Sequence, residues 1–275
     1  MNDWRHVVHA NGQNEIAGKT KDRNLVTAVS RGLSILSAFS PRDVWLGNSE
    51  IAERTALPKP TVSRLTDTLS RLGYLHHSPR RRQYRLDMAV LTLGYAVLGD
   101  LDVRKVARPR MQTLADSCNA LVALGERERL DMVHLETCHS NSTMVTLRVD
   151  TGSRARVATS AFGRALLAAL PRNEREQLLE QMRLHYREHW PKLEREILQA
   201  VRDVNRQGFC IVMGLWQPDI NAVAVPLILP DSSEVMSIGC AGSARYLPRR
   251  RLETEVGPRL VELSRRITAE LSRHI

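Results

Sequence analysis

The N-terminal third of the chain carries apolar residues at the three- and four-residue steps of an amphipathic helix. The first stripe consists of Val26, Val29, Leu33 and Leu36, with Phe39 close behind it. This stripe predicts a helix over Leu25–Phe39 whose apolar side faces a core. Ser40-Pro41 is expected to end the helix, because a residue before proline avoids the helical region.

Ser49–Leu72 predicts two further short helices joined by a turn at Leu57-Pro58. Residues expected to face inward are Ile51, Ala52 and Ala56 in the first helix and Val62, Leu65, Leu69 and Leu72 in the second. Gly73 follows as a left-handed cap. Two short helices with this turn are typical of a helix-turn-helix, whose second helix enters the major groove by its N-terminus.

Two short strands are predicted next, Tyr74–His77 and Gln83–Leu86, on either side of a basic turn at Ser78–Arg82. Three helices and this hairpin predict a winged helix-turn-helix over residues 24–86. The predicted DNA-contacting residues are Lys59, Pro60, Thr61, Ser63 and Arg64 in the second helix and Arg80, Arg81 and Arg82 in the wing. The arginines suit phosphates; the alternative for them is a solvated loop.

Met88–Leu98 is apolar nearly all round, which predicts a helix that must be buried. It lies in a predicted linker over residues 87–101, and we expect it to form a homodimer interface. Packing against the second domain is the alternative. Residues 1–23 are polar and aperiodic, and a disordered tail is expected there.

From residue 102 to 275 the pattern changes to mixed helix and strand. Strands are predicted over Ala120–Gly125, Met132–Glu136, Met144–Arg148, Phe209–Met213, Ala222–Leu229 and Val235–Cys240, with a turn at Pro230–Ser233. Helices are predicted over Val103–Cys118, Phe162–Leu170, Asn173–Met182, Leu193–Gln207 and Arg249–Leu271, the last one bent or divided at Gly257-Pro258. The fold class is therefore α+β, with an antiparallel sheet flanked by helices.

The net charge of +10 is concentrated in the predicted winged helix. Residues 24–86 hold ten Lys or Arg against four Asp or Glu, a surplus of six. Such a cluster favours double-stranded DNA as the partner. Four widely spaced cysteines and no C-x-x-C pair indicate free thiols in a cytoplasmic protein. No apolar run approaches the roughly 18 residues of a membrane span.

Catalytic and metal motifs are weak. The pair His185 and His189 has helical spacing beside Tyr186 and Trp190, which are expected at the surface, and we expect no metal there. His134, Glu136, Cys138 and His139 are interpreted as strand residues, with His134 and Glu136 on one outward polar face. No nucleophile elbow or phosphate loop is present. We expect no enzyme activity and no cofactor.

Together these segments resemble the IclR family of bacterial transcriptional regulators. The matching stretches are Ala28–Phe39, Glu50–Leu75, Tyr84–Gly94, Val106–Asp116, Ala158–Ala168, Asn205–Phe209 and Ala222–Leu227, in order along the chain. The resemblance implies a winged helix-turn-helix, a linker helix and a GAF-like effector-binding domain. It further implies a dimer or dimer of dimers on operator DNA, controlled by a small molecule and often regulating a catabolic operon.

The resemblance also implies an effector site. Its residues would be the loop Ser160, Ala161, Phe162 and Gly163 and a wall of Val212, Ala222, Gly239 and Ala241. Carboxylate-binding family members carry an acidic residue, a cysteine and two serines at the aligned wall positions. The apolar set here predicts a larger, more hydrophobic effector such as an aromatic acid. The alternative is a domain that has lost small-molecule binding and serves only in oligomerisation.

Overall fold

The computed structural model of the chain describes residues 26–40, 43–99, 102–141, 147, 149–229 and 234–273. The chain divides into two compact units between residues 100 and 101. The predicted tail 1–23, the turn Pro230–Ser233 and all but one residue of the predicted strand Met144–Arg148 lie outside the described residues.

The N-terminal unit contains helices and one hairpin. Its elements are α1 (Thr27–Leu36), α2 (Asn48–Thr55), α3 (Lys59–Arg71), β1 (Leu75–Ser78), β2 (Gln83–Leu86) and α4 (Met88–Gly99). β1 and β2 pair antiparallel, from Leu75 opposite Leu86 to Ser78 opposite Gln83. Gly73 precedes β1 with φ +78°. The predicted winged helix-turn-helix is confirmed.

The core of this unit takes in only the end of the stripe predicted for α1, namely Leu36 and Phe39. Ile35 is fully buried, with Ala38 and Phe39 beside it, whereas Val26, Val29 and Leu33 are more than half exposed. The first three residues of the stripe therefore form an outward apolar face. Only the C-terminal end of the helix enters the core.

Two inward predictions at helix ends were also wrong. Ala56 caps α2 in the left-handed conformation, at φ 54°, and its side chain is exposed. Leu72 lies beyond the last residue of α3 and is 62% exposed. Within α3 the fully buried residues are Val62 and Thr66, and the Thr66 hydroxyl donates to the Val62 carbonyl at 3.0 Å. A helical threonine satisfies its hydroxyl in this way and can therefore occupy a core position.

The C-terminal unit combines a six-stranded sheet with helices. Its first elements are α5 (Asp102–Cys118), β3 (Leu121–Glu128), β4 (Asp131–His139), β5 (Arg154–Arg156), α6 (Ala161–Ala169) and α7 (Arg172–Tyr186). A short 3₁₀ helix (Arg187–His189) leads to α8 (Trp190–Gln207), β6 (Cys210–Met213), β7 (Ile220–Ile228) and β8 (Val235–Ser243). The chain then forms α9 (Arg249–Arg251), a π-helical segment (Leu252–Val256) and α10 (Gly257–Leu271). β5 was not predicted.

All pairs in this sheet are antiparallel, in the order β5-β4-β3-β8-β7-β6. One face packs against α6, and the other packs against α5 and α10. Successive strand residues point to opposite faces, so Gly239 lies under α6 while Cys240 faces α5. The α+β class with helices on an antiparallel sheet is confirmed.

Candidate DNA interface and effector site

The first turns of α3 carry the predicted base-reading residues on their solvent side. Lys59, Pro60, Ser63 and Arg64 are exposed, and Thr61 is half-buried. Val62 anchors the opposite side of the same turn in the core. This arrangement leaves the polar side chains of the helix start free to enter a groove.

The wing presents its arginines in the turn between β1 and β2. Arg80, Arg81 and Arg82 are all exposed, and Arg82 adopts φ 53°. The backbone N–H of Arg81 donates to the Ser78 hydroxyl at 3.4 Å, which narrows the turn. Three cations therefore project from a short, closed hairpin.

Sequence reasoning missed an aromatic residue beneath this wing. The guanidinium carbon of Arg81 lies 5.1 Å from the centre of the Trp45 indole, and that of Arg85 lies 5.6 Å away. The His76 ring meets the indole edge-on, with centroids 6.1 Å apart. Cation–π contact of this kind holds a guanidinium over a ring. Two helices separate Trp45 from the wing in sequence, so no local pattern connected them.

Arg81→Ala is expected to weaken binding to all DNA sequences alike, because a wing arginine neutralises phosphate and reads no base. The slope of log affinity against log salt concentration should flatten by about one. Fluorescence anisotropy over a salt series, with cognate and random duplexes, measures the affinity and the slope of its salt dependence. Arg172→Ala, which removes an exposed arginine of α7 paired with Glu176, is the control. An unchanged slope would contradict the assignment.

The start of α6 contains the predicted effector loop. Ser160 is the N-cap: its hydroxyl accepts a hydrogen bond from the Gly163 N–H at 3.0 Å and donates one to the Arg156 carbonyl at 2.7 Å. The first N–H groups of a helix have no intrahelical acceptor. With the Gly163 N–H engaged, those of Ala161 and Phe162 are the donors of this turn that remain for an anion.

The predicted wall residues share the sheet face under α6. The strand register places Val212 opposite Ala222, Ala222 opposite Ala241, and Ala241 opposite Leu121. Gly239 lies two residues before Ala241 and therefore faces the same way. The structure thus places Val212, Ala222 and Ala241 in one row of small and apolar side chains, with Gly239 beside that row on the same face.

The Phe162 ring occupies the space above this face. It stacks on the His134 imidazole, with centroids 5.1 Å apart and planes at 19°. A Cβ atom at Gly125 would come within 2.6 Å of the ring, and one at Gly239 within 3.1 Å. The two glycines therefore make room for the phenyl ring. Sequence reasoning did not connect His134 or Gly125 with this site.

Two buried polar groups border the same face. Burial lowers the pKa of His134, so its imidazole is neutral at pH 7. Its Nδ1 lies 2.8 Å from the Ser153 carbonyl, which assigns the proton to Nδ1 and leaves Nε2 as an acceptor. Ser237, two residues before Gly239, is fully buried, and its hydroxyl has no hydrogen-bond partner among the described residues.

The prediction that His134 and Glu136 share an outward polar face was wrong, and both are buried. The register between β3 and β4 shifts at Leu124/Gly125, so the residues fall on opposite faces. His134 meets Phe162, whereas the Glu136 carboxylate accepts hydrogen bonds from Arg104 and Arg108 of α5.

The helical His185/His189 pair is not formed either. α7 ends at Tyr186, and His189 belongs to the separate 3₁₀ helix. Tyr186 and Trp190, expected at the surface, are buried in the core between α7 and α8. Within the described ranges no group of three or more His, Cys, Asp or Glu side chains is arranged to hold a metal ion. No helix of those ranges combines the length and the apolar character that a membrane span requires.

A winged helix-turn-helix with exposed basic side chains, followed by an antiparallel α+β domain, defines a DNA-binding transcriptional regulator. Residues 28–79 match the IclR helix-turn-helix domain, and residues 95–269 match the domain described as bacterial transcriptional regulator IclR C-terminal. The chain belongs to the IclR family, whose members are transcriptional regulators and not enzymes.

Individual relatives agree with this assignment. The chain is 34% identical over 248 residues to the HTH-type transcriptional regulator TsaQ1/TsaQ2 of Comamonas testosteroni, which covers 90% of this chain and 89% of that protein. The crystal structure of an IclR family transcriptional regulator from Brucella abortus is 44% identical, with a TM-score of 0.82 over 92% of this chain and 95% of that one. An IclR homolog from Microbacterium hydrocarbonoxydans, solved with 4-hydroxybenzoate, shares the fold at 20% identity, with a TM-score of 0.72 over 90% and 99% of the two chains.

Proposed function

We propose that this protein controls a catabolic operon in response to an aromatic organic acid bound in the C-terminal unit. The observation that carries the proposal is the meeting of a helix start with an apolar sheet face. α6 offers the backbone N–H groups of Ala161 and Phe162, and the strands below it offer a row of uncharged side chains. A carboxylate attached to a flat apolar ring matches both parts.

The composition of the wall supports an aromatic acid over a small polar oxoacid. Ala222 and Ala241 are half-buried and cannot donate or accept a hydrogen bond through their side chains. A small acid with several oxygens would lose hydration there without replacement, which costs on the order of 1–3 kcal/mol per unmatched polar group. An aromatic ring instead gains from burial. The unpartnered Ser237 hydroxyl offers a polar contact for a ring substituent.

A related structure with a bound aromatic acid suggests a first compound to test. The Microbacterium protein shares this fold and was solved with 4-hydroxybenzoate, a ring carrying a carboxylate and a hydroxyl. That chemistry satisfies the features described above: an anion for the start of α6, a ring for the wall, and a hydroxyl for a buried polar side chain.

Isothermal titration calorimetry is expected to show binding of 4-hydroxybenzoate or a related aromatic acid and none of glyoxylate. Ala222→Leu, which fills the apolar row, should weaken the aromatic acid at least tenfold. Ala269→Leu, the same change at an exposed position of α10, should leave affinity unchanged. Tight glyoxylate binding would contradict the proposed effector class, and binding of no acid would favour the oligomerisation-only alternative.

For DNA, the proposal assigns base reading to the start of α3 and phosphate binding to the wing. Thr61, Ser63 and Arg64 approach base edges, while Lys59 and the three wing arginines neutralise phosphates. The predicted boundaries then give the parts of the regulator: a reader over 24–86, a linker over 87–101 and an effector domain over 102–275. An effector shifts operator binding only if it prefers one arrangement of the protein over another.

The proposed regulator acts as a homodimer or a dimer of dimers, because the N-terminal unit exposes more apolar surface than a monomer retains. α4 has no buried residue, and five of its large apolar side chains are 54–66% exposed: Met88, Leu91, Leu93, Tyr95 and Val97. The outward face of α1 adds Val26, Val29 and Leu33. A partner copy would bury these side chains and repeat the half-site contacts.

Leu91→Glu and Leu93→Glu are tested separately because two residues along a helix point to opposite sides. At least one of them is expected to shift sedimentation velocity from dimer to monomer, since a glutamate in an apolar interface is left without a partner. Leu184→Glu, at a similarly exposed leucine of α7, is the control. The interface assignment fails if both α4 variants sediment like the unaltered protein.

A further inference from the structure

Two of the four free cysteines lie side by side. Cys118 is the last residue of α5, and Cys240 lies in the middle of β8 on the sheet face toward that helix. Both are fully buried, and their side chains are close enough to interact with each other. Neither contributes to the DNA interface or to the apolar row described above.

Two arginines surround this pair. The Nη1 atom of Arg259 lies 3.8 Å from the Cys118 sulfur, and its Nη2 donates to the Ser117 hydroxyl at 2.6 Å. Arg251 donates to the carbonyls of Cys118 at 3.4 Å and Ser117 at 3.3 Å. Glu255 accepts hydrogen bonds from both guanidinium groups, which holds them together.

The surrounding residues stabilise a Cys118 thiolate, although Cys118 lies at the C-terminus of α5, where the helix dipole disfavours a negative charge. The carbonyl end of a helix is partially negative and disfavours an anion. The neighbouring Cys240 side chain outweighs burial, and together with Ser117, Arg259 and Arg251 it lowers the pKa of Cys118. The same coupling raises the pKa of Cys240 well above its usual range. One sulfur is thus set as the nucleophile and the other as its proton-bearing neighbour.

The other two cysteines differ from this pair in the pKa of the thiol and in their distance from another cysteine. Burial raises the pKa of Cys138 to about 11 and that of Cys210 to about 12. Cys138 and Cys240 flank Val122 on either side, so two strand spacings, roughly 10 Å, separate their backbones, too far for a disulfide. Cys210 lies on the α6 face, where its thiol donates to the Ala161 carbonyl.

We propose that Cys118 and Cys240 form a reversible oxidation site, in which a hydroperoxide converts the two thiols into an intramolecular disulfide. The adjacency of the two side chains and the arginine pair beside one of them carry the inference.

The chemistry balances in two steps. The Cys118 thiolate attacks the terminal peroxide oxygen: an S–O bond forms, the O–O bond breaks, and the leaving oxygen takes a proton from solvent to become water or an alcohol. The Cys240 sulfur then attacks the sulfenic acid: the S–S bond forms, the S–O bond breaks, and water leaves with the Cys240 proton. The thiols lose two electrons and the peroxide gains them.

A peroxide reaches Cys118 over a short distance. The preceding residue, Ser117, is exposed, and the Arg259 side chain above the sulfur is 40% exposed. The path that the proposal requires for a peroxide therefore runs along the Arg259 side chain, which contacts the sulfur.

The test treats the full-length protein with hydrogen peroxide and maps the products by mass spectrometry. The expected product is one Cys118–Cys240 disulfide per chain, reduced again by dithiothreitol. Cys240→Ser should instead leave a sulfenic acid on Cys118 that dimedone traps, Cys118→Ser should give neither product, and Cys138→Ser should behave like the unaltered protein. Near-UV circular dichroism confirms that each variant is folded. A disulfide formed only after unfolding, or involving Cys138 or Cys210, would overturn the proposal.

Alkylation rates give a second readout that does not need a peroxide. Because the pKa of Cys118 is lowered and that of Cys138 is raised, Cys118 carries the larger thiolate fraction at pH 7, and iodoacetamide should react with it at least about tenfold faster than with Cys138. Arg259→Met keeps an unbranched apolar stem but removes the guanidinium group and its charge, and it should move the midpoint of the Cys118 rate–pH profile upward. Equal rates at the two cysteines, or an unmoved midpoint, would overturn the assigned role of the arginines.

Discussion

Gly163→Ala is expected to lower the free energy of unfolding of the C-terminal unit by about 3 kcal/mol or more, the upper range for overpacking a tight core. A Cβ atom at this position would lie 2.2 Å from the Cα and 2.4 Å from the carbonyl oxygen of Val157. Both are backbone atoms and cannot rotate away. The helix start of α6 must therefore shift, and the Ser160 cap that depends on the Gly163 N–H shifts with it.

Urea unfolding followed by circular dichroism measures this loss as a lower midpoint. Gly32→Ala is the matched control: Gly32 is also helical, and a Cβ atom added there would meet no described atom within 4 Å. Alanine there should be neutral or stabilising by about 0.5–1 kcal/mol. If Gly163→Ala unfolded at the same urea concentration as the unaltered protein, the close approach of α6 to Val157 would be wrong.

Arg64→Ala is expected to cost about 1–3 kcal/mol of binding free energy on the cognate operator and to relax specificity at one base pair. Arg64 is exposed on the second turn of α3, on the side away from Val62. An arginine at this place can donate a bidentate pair to guanine. Random DNA offers no such partner in register, so its affinity should fall much less.

An operator selected from random duplexes by the unaltered protein provides the cognate site for this measurement. Arg71→Ala serves as control, since Arg71 is exposed at the far end of the same helix and is paired with Asp67 at 3.0 Å. Equal losses on cognate and random DNA would assign Arg64 to phosphate binding instead.

Local signals explain why the winged helix-turn-helix could be predicted from sequence. Helix starts, Leu57-Pro58 and Gly73 act within a few residues, and the structure places each element near its predicted bounds. The faces were harder to predict. In α1 the first three residues of the stripe are exposed and Ile35 is buried, because an exposed apolar face and a core-facing one leave the same pattern in a sequence.

Long-range contacts account for the other errors. Nothing near Glu136 in sequence indicates the bulge at Leu124/Gly125 that turns it toward Arg104 and Arg108. Tyr186 and Trp190 lie among polar residues, yet the turn after α7 folds both into the core. A single sequence carries no record of which distant segment covers a residue.

In the candidate effector site, too, some residues could be predicted from the sequence and others depended on long-range packing. Its residues came from the resemblance to a family, and only strand register explains why Val212, Ala222 and Ala241 fall in one row. The partners of Phe162, namely His134 and the two glycines below the ring, depend on packing across three strands. No motif and no residue spacing in the sequence predicted these contacts.

The π-helical segment Leu252–Val256 has a geometric consequence for the residues on either side of it. In a continuous α-helix, which turns roughly 100° per residue, side chains eight positions apart diverge by roughly 80°. A wider turn winds less per residue and removes much of that divergence. Arg251 and Arg259 are eight positions apart, and both reach Ser117. The π-helical turn thus places the guanidinium groups of Arg251 and Arg259 on the same side of the helix, next to the Cys118 sulfur.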